Sequence, residues 1–413
     1  MECAIIGGGI GGLFAALALA ARGRDVQVFE ASRELRPLGV GINLLPHAVR
    51  ELAALQLEEP LLDLAIQTSS LTYLNCFGQK IWSEPRGRAA GYDWPQLSVH
   101  RGELQMFLYA EAQRRLGPGR IHLGHTLQGY ASDDQGVTLR FAGADGARIE
   151  ARCRFAVAAD GIHSVVRQAW FPQEGPARFS GRMIWRAVSD TTPFLDGRSM
   201  FMAGHQDQKF VAYPISERHR RAGRSLVNWI AELSLPGMTP PREDWNKRVD
   251  KAVFAQAFRS WKFDWIDIPT LIDSAQQIFE FPMVDRDPLP TWVRDRIALL
   301  GDAAHAMYPI GSNGASQAIL DGRCLADCLA RFEDSLYALR EYEAERLPRT
   351  AAIVLRNRLN GPEQVMQMAH ERAPLGFSDI EAIVPGRELA EIAARYKRLA
   401  GFDPASVNSA APA

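Results

Sequence analysis

Three glycines near the amino terminus carry the first chemical signal in this chain. Ile5-Ile6-Gly7-Gly8-Gly9-Ile10-Gly11-Gly12 sets Gly7, Gly9 and Gly12 in G-x-G-x-x-G spacing, and Val26-Gln27-Val28-Phe29 then runs into Glu30. The pattern predicts a strand, a tight turn, a helix over 10–22, and a second strand that ends on an acid. Gly7 permits the turn, Gly9 lets the backbone approach a pyrophosphate, and Gly12 lets helix and strand pack closely. The free N–H groups of the helix would face phosphates, and Glu30 would accept hydrogen bonds from a ribose. Strand before, helix after and acid beyond together indicate an adenine dinucleotide.

Two further segments have the same logic. Ala156-Val157-Ala158-Ala159-Asp160-Gly161 ends a strand on an acid, turns, and leads into a helix. Ile297-Ala298-Leu299-Leu300-Gly301-Asp302 does so again, and a loop containing Pro309, Gly311, Asn313, Gly314 and Ala315 then feeds a long helix. An Asp at a strand's carboxyl edge can bind a ribose or ribityl hydroxyl, because ligands gather at that edge of an open α/β sheet. Each Asp alone also reads as an ordinary helix cap. Three such sites on one edge imply a single long dinucleotide.

Candidates for the substrate side are more scattered. Tyr213, beside Pro214, and Met283 are pocket candidates by their place in sheet strands, and Trp185-Arg186 could bring an aromatic face or a cation to a substrate carboxylate. Six tryptophans (Trp185, Trp229, Trp245, Trp261, Trp265, Trp292) fall in or beside a β-rich stretch. They would suit a planar multi-ring ligand, but buried tryptophan is more often core. His47 and His305 are possible bases; His305, following Asp302 into a helix, is expected to be structural. Cys324 and Cys328 lie one helical turn apart without the two further ligands a metal site needs, so no metal is expected.

The elements that must hold these residues form an interrupted α/β architecture. Alternating strands and helices fill 1 to about 175, with an inserted hairpin near 71–82. Short β-rich runs follow over 182–188, 199–203, 209–215, 225–230 and 278–283, broken by an expected helix over 244–258, and read as an antiparallel sheet. Strand and helix return at 296–300 and 315–332, and 338–400 is mostly helical. The expected division is a Rossmann-like dinucleotide domain over 1–178 and 284–345, a β-sheet substrate domain over 179–283, a helical region over 346–402, and a disordered tail over 403–413.

Composition narrows the class. With 413 residues, 47 basic and 48 acidic, the chain carries a net charge of −1, which favours neither nucleic acid nor an anionic membrane. Five cysteines suit a reducing compartment. The apolar run over 4–21 is broken by glycines and preceded by Glu2, so it reads as a buried Rossmann helix rather than a signal or a membrane span. A cytoplasmic protein without a membrane span, monomeric or homodimeric, is expected.

The three motifs, from Cys3 to about Pro348, resemble the single-component flavin-dependent aromatic hydroxylases of the para-hydroxybenzoate and salicylate hydroxylase type, and within them the phenazine-modifying monooxygenases. The resemblance is carried further by Arg36-Pro37-Leu38-Gly39-Val40-Gly41-Ile42-Asn43, His100-Arg101-Gly102-Glu103-Leu104-Gln105-Met106, Tyr213-Pro214-Ile215-Ser216, Pro282-Met283-Val284-Asp285-Arg286-Asp287-Pro288-Leu289-Pro290 and Asn313-Gly314-Ala315-Ser316-Gln317. It implies tightly bound FAD, with Glu30 at the adenosine ribose, Asp302 at the ribityl chain, Val40, Gly41, Arg101 and Gln105 along the cofactor, and Asp160 and Gly161 linked to both FAD and NAD(P)H. Ala159 departs from the glycine many relatives have there. No thioredoxin-like extension or carboxyl-terminal membrane span accompanies these motifs.

What the family implies for chemistry follows. Transient NADH or NADPH reduces the flavin, O2 forms a C4a-hydroperoxide, and an electron-rich aromatic or heterocyclic ring takes the distal oxygen. The helix opening at Gly314, with Gly311 making room, would face the flavin N1–C2=O locus, and a helix terminus there offers up to about 2 kcal/mol to the reduced form. Pro309 would turn its carbonyl toward substrate. Two alternatives keep the fold: Baeyer–Villiger insertion into a bicyclic intermediate, and a flavin-bound protein that sequesters a ligand.

Overall fold

In the computed structural model, residues 1–239 and 247–409 are described. A six-stranded sheet runs in the order Val293–Arg294, Ile297–Leu299, Phe155–Ala158, Cys3–Ile6, Val26–Glu30, Ile121–Leu123. Every pairing in it is parallel except that of the short edge strand Val293–Arg294. Cys3–Ile6 and Phe155–Ala158 are apolar and buried throughout, as central parallel strands covered on both faces must be. The helix Ile10–Ala21 is buried around most of its circumference, packed between this sheet and the helices Arg101–Leu116 and Gly314–Arg331. The apolar run over 4–21 therefore reflects burial in a protein core.

The second layer is an eight-stranded sheet, ordered Arg248–Val249, Ile278–Asp285, Arg178–Thr191, Ser225–Ser234, Gln208–Pro214, Met200–His205, Ser70–Leu74, Lys80–Pro85. Side chains alternate with period two. Trp185, Phe201, Phe210 and Trp229 bury one face against Phe254, Phe258 and Trp261. Leu71, Tyr73, Met200, Met202, Val211 and Tyr213 occupy the other face, against Val365, Met366, Leu389 and Ile392 of the carboxyl-terminal helices Gln364–Arg372 and Gly386–Leu399. The 70–85 hairpin joins this sheet, because Ser70–Leu74 pairs in parallel with Met200–His205.

Two expectations change. A helix over 244–258 does not form in the described part: Arg248–Val249 is a strand, and Lys251–Val253 and Ala255–Phe258 are separate 3-10 turns. Asp250 caps Ala252, and Phe254 leaves helical geometry (φ −137°) as Phe254 and Phe258 turn into the sheet core. Residues 244–246, Trp245 included, lie outside the described residues. The tail was expected to be disordered, yet Pro404–Ser409 is helical and Val407 is buried beside Leu45 and Phe402, so one apolar side chain docks a segment of otherwise low complexity. Residues 410–413 lie outside the described residues. Among the described residues, no helix is long and apolar enough to cross a membrane.

Candidate active site

The parallel register sets Ile6, Phe29, Ala158 and Leu299 side by side, so the residues after them emerge at one sheet edge. That edge gathers Gly7, Glu30, Asp160 and Asp302. Gly7 has φ +110°, and a Cβ there would stand 2.3 Å from the Ala159 carbonyl oxygen. A Cβ at Gly12 would stand 2.1 Å from the Gly7 carbonyl oxygen and 3.4 Å from the Ala159 methyl. The glycine at 12 is thus required by the Gly7 backbone, while the Ala159 methyl stands at ordinary contact distance and its departure is tolerated. Gly9 differs: a Cβ there would meet nothing within 4 Å. The protein's own packing does not require that glycine, whereas a group lying over the turn would. The helix Ile10–Ala21 has no side-chain cap and no acid in its first turn, so its amino-terminal N–H groups are available to an anion.

Second-strand and neighbouring groups brace this turn. Glu30 accepts from the Gly8 N–H at 2.6 Å and from the Ser32 N–H at 2.7 Å. Gln105 donates to the Gly8 carbonyl at 2.8 Å. Arg101 is exposed, with its N–H donating to the Val40 carbonyl at 2.9 Å and its side chain running past Gly39. Asp160 Oδ2 accepts from the Val165 N–H at 2.9 Å, while Oδ1 is buried without a partner. Burial pushes this carboxyl above its ordinary value, and hydrogen bonds from Ser164 and Val165 oppose the shift. Asp160 therefore accepts from the first N–H of helix Val165–Trp170, whose N-cap is Ser164, and keeps one oxygen unused; Gly161 follows at φ +79°.

Asp302 is exposed and has no partner among the described residues. The turn holding it is fixed from below by Asp321 of helix Gly314–Arg331, which accepts from Gly301 N–H (3.1 Å), His305 Nε2 (2.6 Å) and Arg346 Nε (2.8 Å). Burial would raise the Asp321 carboxyl, but His305 and Arg346 outweigh it and leave it below its ordinary value. His305 is buried and meets Asp321 through Nε2, while its Nδ1 has no hydrogen-bond partner. Sequence reading missed Asp321; its one signal was an acid on the apolar face of a helix.

The turn before that helix is unusual. Gly311 (φ +69°) and Ser312 (φ +58°) are both left-handed, and Pro309 is exposed. Helix Gly314–Arg331 has no side-chain cap, and a Cβ at Gly314 would meet nothing within 4 Å. Ala315 follows, half-buried. Tyr396, from the helix Gly386–Leu399, fastens the turn: its hydroxyl accepts from Asn313 Nδ2 at 2.8 Å and donates to Asn357 Oδ1 at 2.7 Å. A Cβ at Gly311 would meet that hydroxyl at 2.3 Å, so the two residues fit only as a pair.

Across the edge, the large sheet grips Gly41. Its N–H donates to Asn228 Oδ1 (2.7 Å), and its carbonyl accepts from Arg186 Nη2 (2.6 Å) and Tyr213 OH (3.0 Å). Val40 beside it is buried. Tyr213 and Arg186 thus position the 40–41 segment, and Met283 packs behind with Ile184, Tyr308 and Ile310. Trp185 points to the opposite face of the sheet, stacked on Phe254 at 4.8 Å, with its Nε1 donating to Glu280 at 3.0 Å. It belongs to the core and presents no face to a ligand.

A cleft lies between the sheet and the 311–312 turn. Its apolar wall is Leu45, Leu71, Tyr73, Met200, Met202 and Phe402, and its polar end is Glu84, Arg86, Gln96 and Lys397. None of these was singled out from sequence, because they come from six separate segments and form no motif. Tyr213, Met283 and Arg186 are not among its lining residues.

Residues 1–357 match the model of the family described as FAD binding domain. The chain is 44% identical over 365 residues to the phenazine 1,6-dicarboxylic acid hydroxylase of Lysobacter antibioticus, covering 86% of this chain and 89% of that one. The chain belongs to the FAD-dependent aromatic hydroxylase family. It is 32% identical over 374 residues to a 3-amino-4-hydroxybenzoate 2-monooxygenase of Streptomyces platensis, covering 87% of each chain. A salicylate hydroxylase substrate complex shares the fold at TM-score 0.74 and 23% identity, covering 99% of this chain and 97% of that one. As a member of this family, the protein is an oxidoreductase with FAD as cofactor. The open space beside Gly9, the two uncapped helix termini and the unpartnered Asp302 suit a long dinucleotide on this edge.

Proposed function

We propose that this FAD-dependent monooxygenase inserts one oxygen atom from O2 into an electron-rich, phenazine-like ring, with NAD(P)H as reductant. The observation that carries the reading is the 44% identity, across 86% of the chain, to a hydroxylase of a phenazine dicarboxylic acid. Bound FAD supplies hydride acceptance from NAD(P)H and the activation of O2. The chain's part is orientation, electrostatics and dryness. Gly7, Gly9, Gly12 and Glu30 would hold the adenosine and pyrophosphate half, with Gln105 bracing their turn and Arg101, Val40 and Gly41 alongside. Asp160 and Gly161 flank it, and Asp302 would hold the ribityl chain.

Toward the reacting end, Gly311, Asn313, Gly314 and Ala315 would bring uncapped N–H groups to the cofactor, where negative charge develops on reduction. Pro309 opens the turn that separates cofactor from substrate. Tyr213 and Met283 act one layer back, holding the backbone against which both ligands lie. The apolar wall of Tyr73, Met200 and Met202 excludes water from the ring. Stopped-flow reduction tests this reading. A phenazine carboxylate should accelerate NAD(P)H-dependent bleaching of the flavin at least about tenfold. Bleaching at one rate whatever ring is added would contradict it.

A further inference from the structure

Burying charges is costly unless they are balanced, and the polar end of the cleft is not balanced. Arg86 Nη2 meets Glu84 Oε1 at 2.5 Å, and Lys397 Nζ meets Glu84 Oε2 at 2.6 Å. The side chains are 11%, 7% and 18% exposed for Arg86, Glu84 and Lys397. Two cations therefore share one carboxylate, and among the described residues no second acid pairs with either. Arg86 Nε is buried and makes no hydrogen bond. Burial would raise the Glu84 carboxyl, but Arg86 and Lys397 outweigh it and hold it ionised. The cluster thus carries one positive charge more than it neutralises, with a donor to spare, at the end of an apolar slot.

Resting on the hydroxylase reading above, we propose that Arg86 and Lys397 form the specificity site for a single ring carboxylate. The substrate would be a planar aromatic acid that enters carboxylate first, with its ring between Tyr73, Met200 and Met202 and the 311–312 turn. One carboxylate brings the cluster to two cations and two anions, and charge-assisted hydrogen bonds of this kind are the strong ones. The cleft's free volume is about 20 Å³, room for about one water. Ring binding therefore requires the wall of the cleft to move apart. Arg186 is not assigned this role because it does not line the cleft, and one of its nitrogens donates to the Gly41 carbonyl.

The test uses FAD-loaded full-length protein and two probes, phenazine-1-carboxylate and unsubstituted phenazine, with dissociation constants read from perturbation of flavin fluorescence. Wild type should prefer the carboxylate roughly 10- to 100-fold, the worth of one hydrogen-bonded charge. Arg86→Gln and Lys397→Met should each cut that preference to about threefold or less while binding unsubstituted phenazine as wild type does. Arg88→Gln, on an exposed pair with Glu58, serves as the control. If Arg86→Gln loses FAD or folds poorly, Lys397→Met decides alone. An undiminished preference in a folded variant overturns the proposal, as does a wild type with no preference for the carboxylate, and either leaves the hydroxylase reading intact. Binding of neither ring to fully loaded wild type would overturn both.

Discussion

The carboxyl edge of the parallel sheet and the cleft beneath the large sheet are neighbouring sites assembled on opposite principles. At the edge, each functional group follows its own strand directly: Gly7 after Cys3–Ile6, Glu30 closing Val26–Glu30, Asp302 after Ile297–Leu299. Parallel register alone brings them together, so local patterns suffice. In the cleft, Tyr73 and Arg86 come from one hairpin, and Met202, Ser312 and Lys397 from segments far away in sequence, so only the packed tertiary structure makes them adjacent. On the proposed reading, cofactor binding is written in short motifs, and substrate choice in the way the large sheet, the 311–312 turn and a carboxyl-terminal helix meet.

The comparison can be broken by substitutions ordered by expected effect. Gly12→Ala drives a methyl into the Gly7 carbonyl and should destabilise the apoprotein by about 3 kcal/mol, read by urea unfolding. Gly9→Ala, which meets no protein atom but is a poorer N-cap for the helix Ile10–Ala21, should cost the apoprotein only about 1 kcal/mol and weaken FAD binding instead. Equal losses of stability in both variants would mean that Gly9 serves packing. Asp302→Ala should purify largely colourless, with FAD affinity down at least about tenfold, because an exposed acid without a protein partner has only its ligand to lose. Full flavin content would remove Asp302 from the cofactor site.

Tyr396→Phe sharpens the boundary between the two regions. It deletes the hydroxyl that ties Asn313 to Asn357 and should lower product formed per NAD(P)H oxidised by about fivefold, with FAD content unchanged. Unaltered coupling would show that the turn holds itself. A separate effect, read only as a pH dependence, concerns the seam behind the helix Gly314–Arg331, where His47 meets Gln317. Burial, with help from Arg346 and Arg50, lowers His47 to about 3. A depressed value contributes stability that is full above pH 6.5 and is lost as pH falls toward 3. Thermal melts of His47→Gln should therefore be less acid-sensitive than wild type between pH 6 and 4, by about 1 kcal/mol per pH unit. Parallel melting curves would contradict the burial of a neutral His47.

Much of the fold was legible because its signals are local. Glycine spacing, apolar strands and acids at strand ends gave the Rossmann layer, and period-two runs gave the strands of the large sheet. The expected helix over 244–258 failed where Phe254 and Phe258 gain more by entering the sheet core than by continuing a helix. The tail misled because its small residues hide the one side chain, Val407, that docks it. Asp321 and Tyr396 were invisible for a different reason: each acts on a turn far away in sequence, and an acid or a tyrosine in a helix announces nothing about what it will hold. Arg186 donates to the Gly41 carbonyl across the sheet, a contact that no local pattern announces.

The central claim is transfer of an oxygen atom, and turnover under isotopically labelled O2 tests it most directly. With a phenazine carboxylate present, the account predicts ring-stimulated NAD(P)H oxidation and a product heavier by one labelled oxygen. Peroxide as the sole labelled product, at a rate indifferent to every ring supplied, would contradict it.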